Sequence, residues 1–222
     1  MVTIRSVESP TDLEQAANLG ASTLRPNHYQ EAKHFWRSIV PADPTYRQAN
    51  QRVVEVDGRI VGQALIVDRT VAIGVARLRV GGISGFALLP EYQHQGYAEA
   101  LMQDCLSYMN KQRYDLSIMN APTGFYVRYG YATVWPSYSL KVRAEDVAQL
   151  TSAVNVRPFV ADDLPALMSL YESASLTRVG AFLRDEAYWR WRLAHLQHVR
   201  VAAAGEGEVR GYMVGNTPAE VT

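Results

Sequence analysis

The stretch "LLPEYQHQGYAEALM", residues 88–102, carries the residues best suited to chemistry. An apolar strand end, a proline and a polar loop lead into Gln93-His94-Gln95-Gly96-Tyr97-Ala98, and a helical pattern begins there. The first four N–H groups of a helix have no internal partner, and with the helix dipole they attract an anion. Gly96 removes the side chain that would hold a phosphate away. No Gly-Lys-Ser/Thr follows, so this is not a Walker loop, and the three-glycine spacing of a dinucleotide fingerprint is missing. The same six residues also fit a plain strand-to-helix turn.

Other reactive side chains point to less. The one cysteine, Cys105, falls on the apolar face of the helix, which leaves no disulfide framework, no thiolate metal site and a poor nucleophile. His28 and His34, and His195 and His198, have no carboxylate or cysteine to complete a metal set, so they read as surface or core histidines and no metal is expected. "YWRWRLAHLQHVR" is basic and aromatic, but Trp189 and Leu193 at helical spacing read as a packing face. Basic and acidic residues balance at 22 each, with a pI near 7.0, which disfavours nucleic acid. There is no signal-peptide pattern at the N-terminus and no apolar run near the ~20 residues of a membrane span. The expectation is a cytoplasmic protein with no membrane partner.

The elements that must position the loop follow from periodicity. "VTIRSV" is a short strand, and Ser9 or Thr11 caps the helix behind it with Pro10 in the first turn. "HYQEAKHFWRSIV" is a second helical stretch that ends at Pro41, and its aromatic Phe35 and Trp36 fit the core. "QRVVEVDGRIVGQALIVDRTVAI" is a hairpin turning on Asp57-Gly58. "RLRVGGISGFALLP" is a long strand whose glycines Gly81, Gly82 and Gly85 mark a bulge or a ligand close to the backbone. After the loop, Ala98, Leu101, Met102, Cys105, Leu106 and Met109 trace one face of a helix over about residues 96–112. "YDLSIMN" is a buried strand, "PTGFYVRYG" a short aromatic helix ended by Gly130, and "YATVWPSYSLKV" one or two last strands. Phe125 and Tyr129 are expected in the core.

From about residue 153 the pattern repeats. "VNVRPFVADDLPALMSLY" follows the opening of the chain, "DEAYWRWRLA" resembles "YQEAKHFWRSI", and "VRVAAAGEGEVRGYMVG" resembles the first hairpin. The second copy stops after that hairpin. The expected division is 1–145 and 153–222, the second part a truncated unit or a half-copy packed on the first. A truncated unit would leave apolar surface open to a second copy of the chain.

The loop, with Gln93, Gly96 and Ala98 at its three defining positions, resembles motif A of the GNAT superfamily of acetyl-CoA-dependent N-acetyltransferases. The β/α order over residues 1 to about 143 is also the GNAT order. "GFYVRYGYATVWPSYSL" and the repeat resemble the tandem-GNAT enhanced-intracellular-survival (Eis) type. The resemblance implies an α/β (α+β) GNAT fold: a mixed central sheet flanked by helices, with a partial second GNAT-like unit. It implies acetyl-CoA as cosubstrate and a small-molecule or peptide amine as acceptor, and it puts "HYQEAKHFW" at the substrate-side helix, where Phe35 and Trp36 would line an acceptor cleft or else pack in the core. Backbone groups of Phe86, Ala87 and Leu88 would hold the pantetheine arm as an added strand. N–H groups of Gln93, His94, Gln95, Gly96, Tyr97 and Ala98 would bind the pyrophosphate, with His94 touching a phosphate. Gln93-His94-Gln95 stands where the family often has arginine, so neutral amides would carry the binding.

A bulge in residues 82–88 could free a strand N–H for the oxyanion. Tyr126 matches the family's general acid, and a phenol with pKa near ~10 can protonate a departing thiolate at neutral pH. Glu91 and Glu55 are the nearest candidate bases, acting through water, and each also reads as a solvated charge. The activity expected is direct transfer of an acetyl group from acetyl-CoA to a primary amine in a ternary complex. The rival readings are a non-catalytic acyl-CoA-binding sensor or scaffold, and an enzyme for longer acyl groups.

Overall fold

The computed structural model describes residues 1–120, 123–134, 143, 145, 155–175, 178–195, 198–204 and 207–215. The chain forms two compact units that are not consecutive stretches: Met1–Met119 with Ala174–His195, and Asn120–Ser173 with Leu196–Thr222. The division expected between 145 and 153 falls almost entirely outside the described residues, as do residues 135–142 of the expected last strands; residues 131–134 have no regular structure.

The first unit is built on a mixed sheet in the order β1 (Val2–Ser6), β2 (Gln51–Val56), β3 (Arg59–Ile73), β4 (Ala76–Leu88) and β5 (Leu116–Ile118). All neighbours are antiparallel except β4 and β5. The hairpin turns on Asp57 (φ 49°) and Gly58 (φ 82°), the two positive angles that match strand twist. Helices α1 (Pro10–Leu24) and α3 (Tyr97–Lys111) cover the sheet. Ser9 caps α1 by accepting from the Asp12 N–H at 3.1 Å, with Pro10 in the first turn as expected. Val7, Ala16, Leu19, Val53, Ile60 and Ala87 form one buried cluster. Leu101, Met102, Cys105 and Met109 bury the inner face of α3, as their spacing predicts. Arg52 on β2 holds α3 in place with a two-pronged bond to Asp104 at 2.6 and 3.0 Å.

The stretch after α1 is not one regular helix. A 3₁₀ turn precedes α2 (Tyr29–His34), which continues as a π turn over Phe35–Ile39, closed by Val40 N–H on Phe35 C=O at 2.9 Å. β5 was expected to be buried, yet Leu116 is 41 % exposed. With only three residues, β5 has β4 as its one partner among the described residues. β7 (Ala181–Phe182) pairs with β3 at Val71 and Ala72, and α6 (Glu186–Ala194) follows it with Asp185 as N-cap. No helix of the described residues is long and apolar enough to cross a membrane.

The second unit holds α4 (Thr123–Tyr126), a 3₁₀ turn over Val127–Tyr129 ended by Gly130, α5 (Leu164–Ser175), and an antiparallel sheet β6 (Asn155–Pro158), β8 (His198–Ala204), β9 (Glu208–Gly215). One bond set occurs in both units. Arg5 grips both carboxylate oxygens of Asp12 (2.7 and 3.0 Å) and the Ser6 carbonyl, while the Glu8 N–H donates to Asp12. Arg157 likewise grips both oxygens of Asp163 (2.7 Å each) and the Pro158 carbonyl, while the Val160 N–H donates to Asp163. Val7 N–H bonds Gln51 C=O in the first unit, and Phe159 N–H bonds Val199 C=O in the second.

Candidate active site

β4 carries the first part of the site. Gln63 pairs with Ala87, but Leu65 pairs with Ser84, so Gly85 and Phe86 together oppose Ala64. That is a β-bulge, the device that re-aims backbone groups beside active sites, and it lies within the stretch expected to hold one. Gly85 adopts φ +61°, and a Cβ there would lie 2.8 Å from Trp36 Cζ2 and closer still to Cη2. Both the left-handed backbone and the indole demand glycine. β5 pairs with β4 only at Val80, Gly81 and Gly82, and β4 runs on to Leu88 beyond the last of these. This extension contains Phe86, Ala87 and Leu88.

The loop follows directly. The Leu89 N–H bonds Val61 C=O at 2.8 Å, and Pro90–Tyr92 makes a 3₁₀ turn. Gln93 Nε2 reaches Leu88 C=O at 3.4 Å and Gln95 Nε2 reaches Glu91 C=O at 2.8 Å, so both amide side chains brace the loop from within. His94 (φ +60°) and Gly96 (φ +84°) are left-handed, and such reversals between ordinary residues curve successive N–H groups into a concavity that suits anions. Gly96 is the N-cap of α3 without a side-chain cap bond, and the first bond of the helix ladder joins Ala100 N–H to Gly96 C=O at 3.0 Å. The N–H groups of Tyr97 and Ala98 precede it. Among the described residues, and apart from its own chain neighbours, no protein atom comes within 4 Å of a Cβ built on Gly96. The space over the glycine is open, which fits a phosphate-bearing ligand. Arg59 stands beside this loop, bonded to Glu91 at 3.4 Å and set 5.9 Å over the Tyr92 ring. It is a cation that the loop's own sequence lacks, and only the folded hairpin brings it there.

A cavity of about 110 Å³ opens on the same sheet. Phe35 and Trp36 of the π turn, Tyr46, Leu65 on β3, Ser84 on β4 and Trp191 on α6 line it. A π turn widens the helix by one residue, which presents two consecutive aromatics to the hollow. Trp191 Nε1–H is fixed on Ile39 C=O at 3.1 Å. Tyr46 Oη–H donates to Gln51 Oε1 at 3.0 Å, Gln51 Nε2 donates to Gln63 Oε1 at 3.3 Å, and burial pushes the Tyr46 phenol up to about 12. Trp36 is both core, at 6 % exposure, and cavity wall, while Phe35 is 43 % exposed at its rim. The resemblance singles out those two, but nothing local in the sequence marks Tyr46, Ser84 or Trp191.

Tyr126 stands in the second unit, at the end of α4. Its ring meets Phe125 edge-on at 5.0 Å and Tyr131 at 6.1 Å, and burial raises its phenol above the ordinary value. Phe125 and Tyr129 are half-buried rather than core, with the Arg128 guanidinium over them at 4.4 and 5.4 Å. Neither candidate base stands alone: Glu55 accepts from Arg5 Nε at 2.9 Å, and Glu91 from Arg59. Cys105 is fully buried and its thiol is pushed up to about 12, so it is inert. Among the described residues no group of three or more His, Cys, Asp or Glu is placed to hold a metal.

Residues 3–134, more than half of the sequence, match the profile of the acetyltransferase (GNAT) domain. The chain belongs to the GNAT acetyltransferase family. Solved structures show the same fold. A GCN5-related N-acetyltransferase from Anabaena variabilis superposes with TM-score 0.70 at 19% identity, covering 96% of this chain and 54% of its own. A probable N-acyltransferase from Enterococcus faecalis gives 0.68 at 16%, covering 96% and 54%. Eis1 from Mycobacterium abscessus gives 0.61 at 19%, covering 96% and 53%. This GNAT chain thus spans about half the length of each. No curated protein matches its sequence.

Proposed function

We propose that the chain transfers an acetyl group from acetyl-CoA to a primary amine by direct attack in a ternary complex. One observation carries this: within one unit, a bulged strand that outruns its neighbour leads straight into a glycine-capped helix N-terminus with open space above it. The extension of β4 offers Phe86, Ala87 and Leu88 to an extended pantetheine arm. The loop from Gln93 to Ala98, His94 included, offers backbone N–H groups to the pyrophosphate. The bulge supplies the oxyanion donor.

The amine nitrogen bonds to the acetyl carbonyl carbon, the C–S bond breaks, and the proton lost by nitrogen balances the one gained by sulfur. Tyr126 is the proposed donor to sulfur. Its raised pKa keeps it protonated at neutral pH. Glu55 and Glu91 are both in ion pairs, so no dedicated carboxylate base is assigned: the neutral fraction of the amine reacts, and the proton its nitrogen loses passes through water, which restores the Tyr126 phenol. The lone buried cysteine fits a reducing compartment, and we place the reaction in the cytoplasm.

The same engaged carboxylates favour a second reading, an acyl-CoA-binding sensor without turnover. Tyr126→Phe separates them. For an enzyme, kcat falls about 10²-fold or more while acetyl-CoA affinity is kept. A wild-type chain that binds acetyl-CoA but acetylates no amine belongs to the sensor reading.

A further inference from the structure

The cavity beside the bulge has walls that choose a ligand. Its floor is aromatic and aliphatic: Trp36, Trp191, Tyr46 and Leu65. Two carboxylates also reach it, Asp43 and Asp68, and both are already committed. Asp43 is bound by the Arg69 guanidinium, which also donates to Thr45 and lies 4.7 Å over the Tyr188 ring. Asp68 is gripped by Arg79 at 2.6, 3.1 and 3.2 Å. Each negative charge in the wall therefore faces a guanidinium, and Arg69 is itself part of the lining. A ligand with several ammonium groups would set its extra charges against apolar rings and paired carboxylates. Moving an unpaired charge out of water is costly. An apolar body with one amine can leave that single charge at the exposed mouth by Ser84 and set none against the rings.

Size and position agree with that. A closed apolar cavity of about 150 Å³ admits benzene, and this hollow of about 110 Å³ is open on one side. Being smaller, it takes one ring at most, with the rest of the molecule at the open mouth. Ser84, which is exposed, forms part of the wall one residue before the bulged pair Gly85 and Phe86. A ring seated against Trp36 thus directs a short amine-bearing arm along β4 towards the bulge.

We infer that the acceptor of this GNAT chain is an aryl-alkyl monoamine, its ring in the Trp36–Tyr46–Trp191 cavity and its single amine at Ser84 beside the β4 bulge, rather than a polycationic amine. The inference rests on the acetyl-transfer reading. It adds the acceptor class.

The test uses the full chain, acetyl-CoA, 2-phenylethylamine and a linear triamine of similar reach. Acetylation of 2-phenylethylamine should exceed that of the triamine at least tenfold in kcat/KM. Val67 on β3 also lines the cavity; Val67→Phe, which fills it, and Ser84→Phe, an exposed change at its mouth, should each lower the 2-phenylethylamine value at least tenfold. Calorimetry with acetyl-CoA on the Val67 variant should show unchanged affinity and so an intact fold. A preference for the triamine, or indifference to both substitutions, overturns the acceptor class and leaves acetyl transfer standing. Should acetyl-CoA not bind at all, the acetyl-transfer reading falls. Direct titration with 2-phenylethylamine then decides the cavity: binding that Val67→Phe abolishes supports the ligand class, and no binding overturns it.

Discussion

At the scale of single residues, Gly85, Gly96 and Tyr126 carry the functional account. Gly85 is held by φ +61° and by the Trp36 ring against it. Gly85→Ala should destabilise the chain by roughly 2–4 kcal/mol in chemical denaturation, from backbone strain plus overpacking. Tyr126 is raised by burial, so any alkaline loss of kcat that Tyr126→Phe removes should lie above the ordinary phenol value of about 10. Cys105, buried with its thiol up to about 12, should resist thiol reagents in the native chain and react only on unfolding; labelling with a chromogenic disulfide reads this directly. The loop glycine stands out in the sequence because a helix start usually takes Ser, Thr, Asp or Asn, and its φ of +84° is one that glycine holds without strain. Tyr46, Ser84 and Trp191 do not stand out. They come together through the π turn and the β7–α6 excursion, which have no local signal, and through the bulge, which the glycines of β4 do mark.

At the scale of elements, an Arg–Asp clasp in each unit ties a strand to the helical segment that follows it. Asp12 is drawn down to about 2, chiefly by its bonds from Arg5. A depressed carboxylate contributes stability above its unfolded value near 4 that is lost as pH falls through the folded one. Asp12 should therefore contribute to acid unfolding between about pH 4 and 2, and Asp12→Asn should flatten stability across that window. The opposite sign holds for Tyr46 and Tyr114, both pushed by burial up to about 12. Their stabilisation is complete below about pH 10 and lost as pH rises towards 12. The helices and hairpin that form the site were readable from spacing and turn residues. The three-residue β5 was read as buried because its own apolar residues said so. Its exposure reflects pairing, among the described residues, with one strand only.

At the scale of the whole molecule, the clasp recurs in both units, which supports the proposed internal repeat beyond similar letters. Arg5, Ser6, Asp12 and Arg157, Pro158, Asp163 make the same bonds in two units. Asp163→Asn should raise amide exchange across β6, β8 and β9 and leave β1 to β3 protected. What the repeat could not show is that Ala174–His195 packs with the first unit. Within the first unit that segment brings Trp191 to the cavity, a long-range placement invisible to any sequence window. The central claim is that the open N-terminus of α3 takes the pyrophosphate of acetyl-CoA. Calorimetric titration of the chain with acetyl-CoA, repeated on Gly96→Val, tests it most directly. The account predicts saturable binding near one per chain, weakened about tenfold or more by the substitution, since a branched residue cannot hold φ +84° without strain or leave the space above open. No binding, or binding that Gly96→Val leaves unchanged, would contradict it and reduce the loop to a strand-to-helix turn.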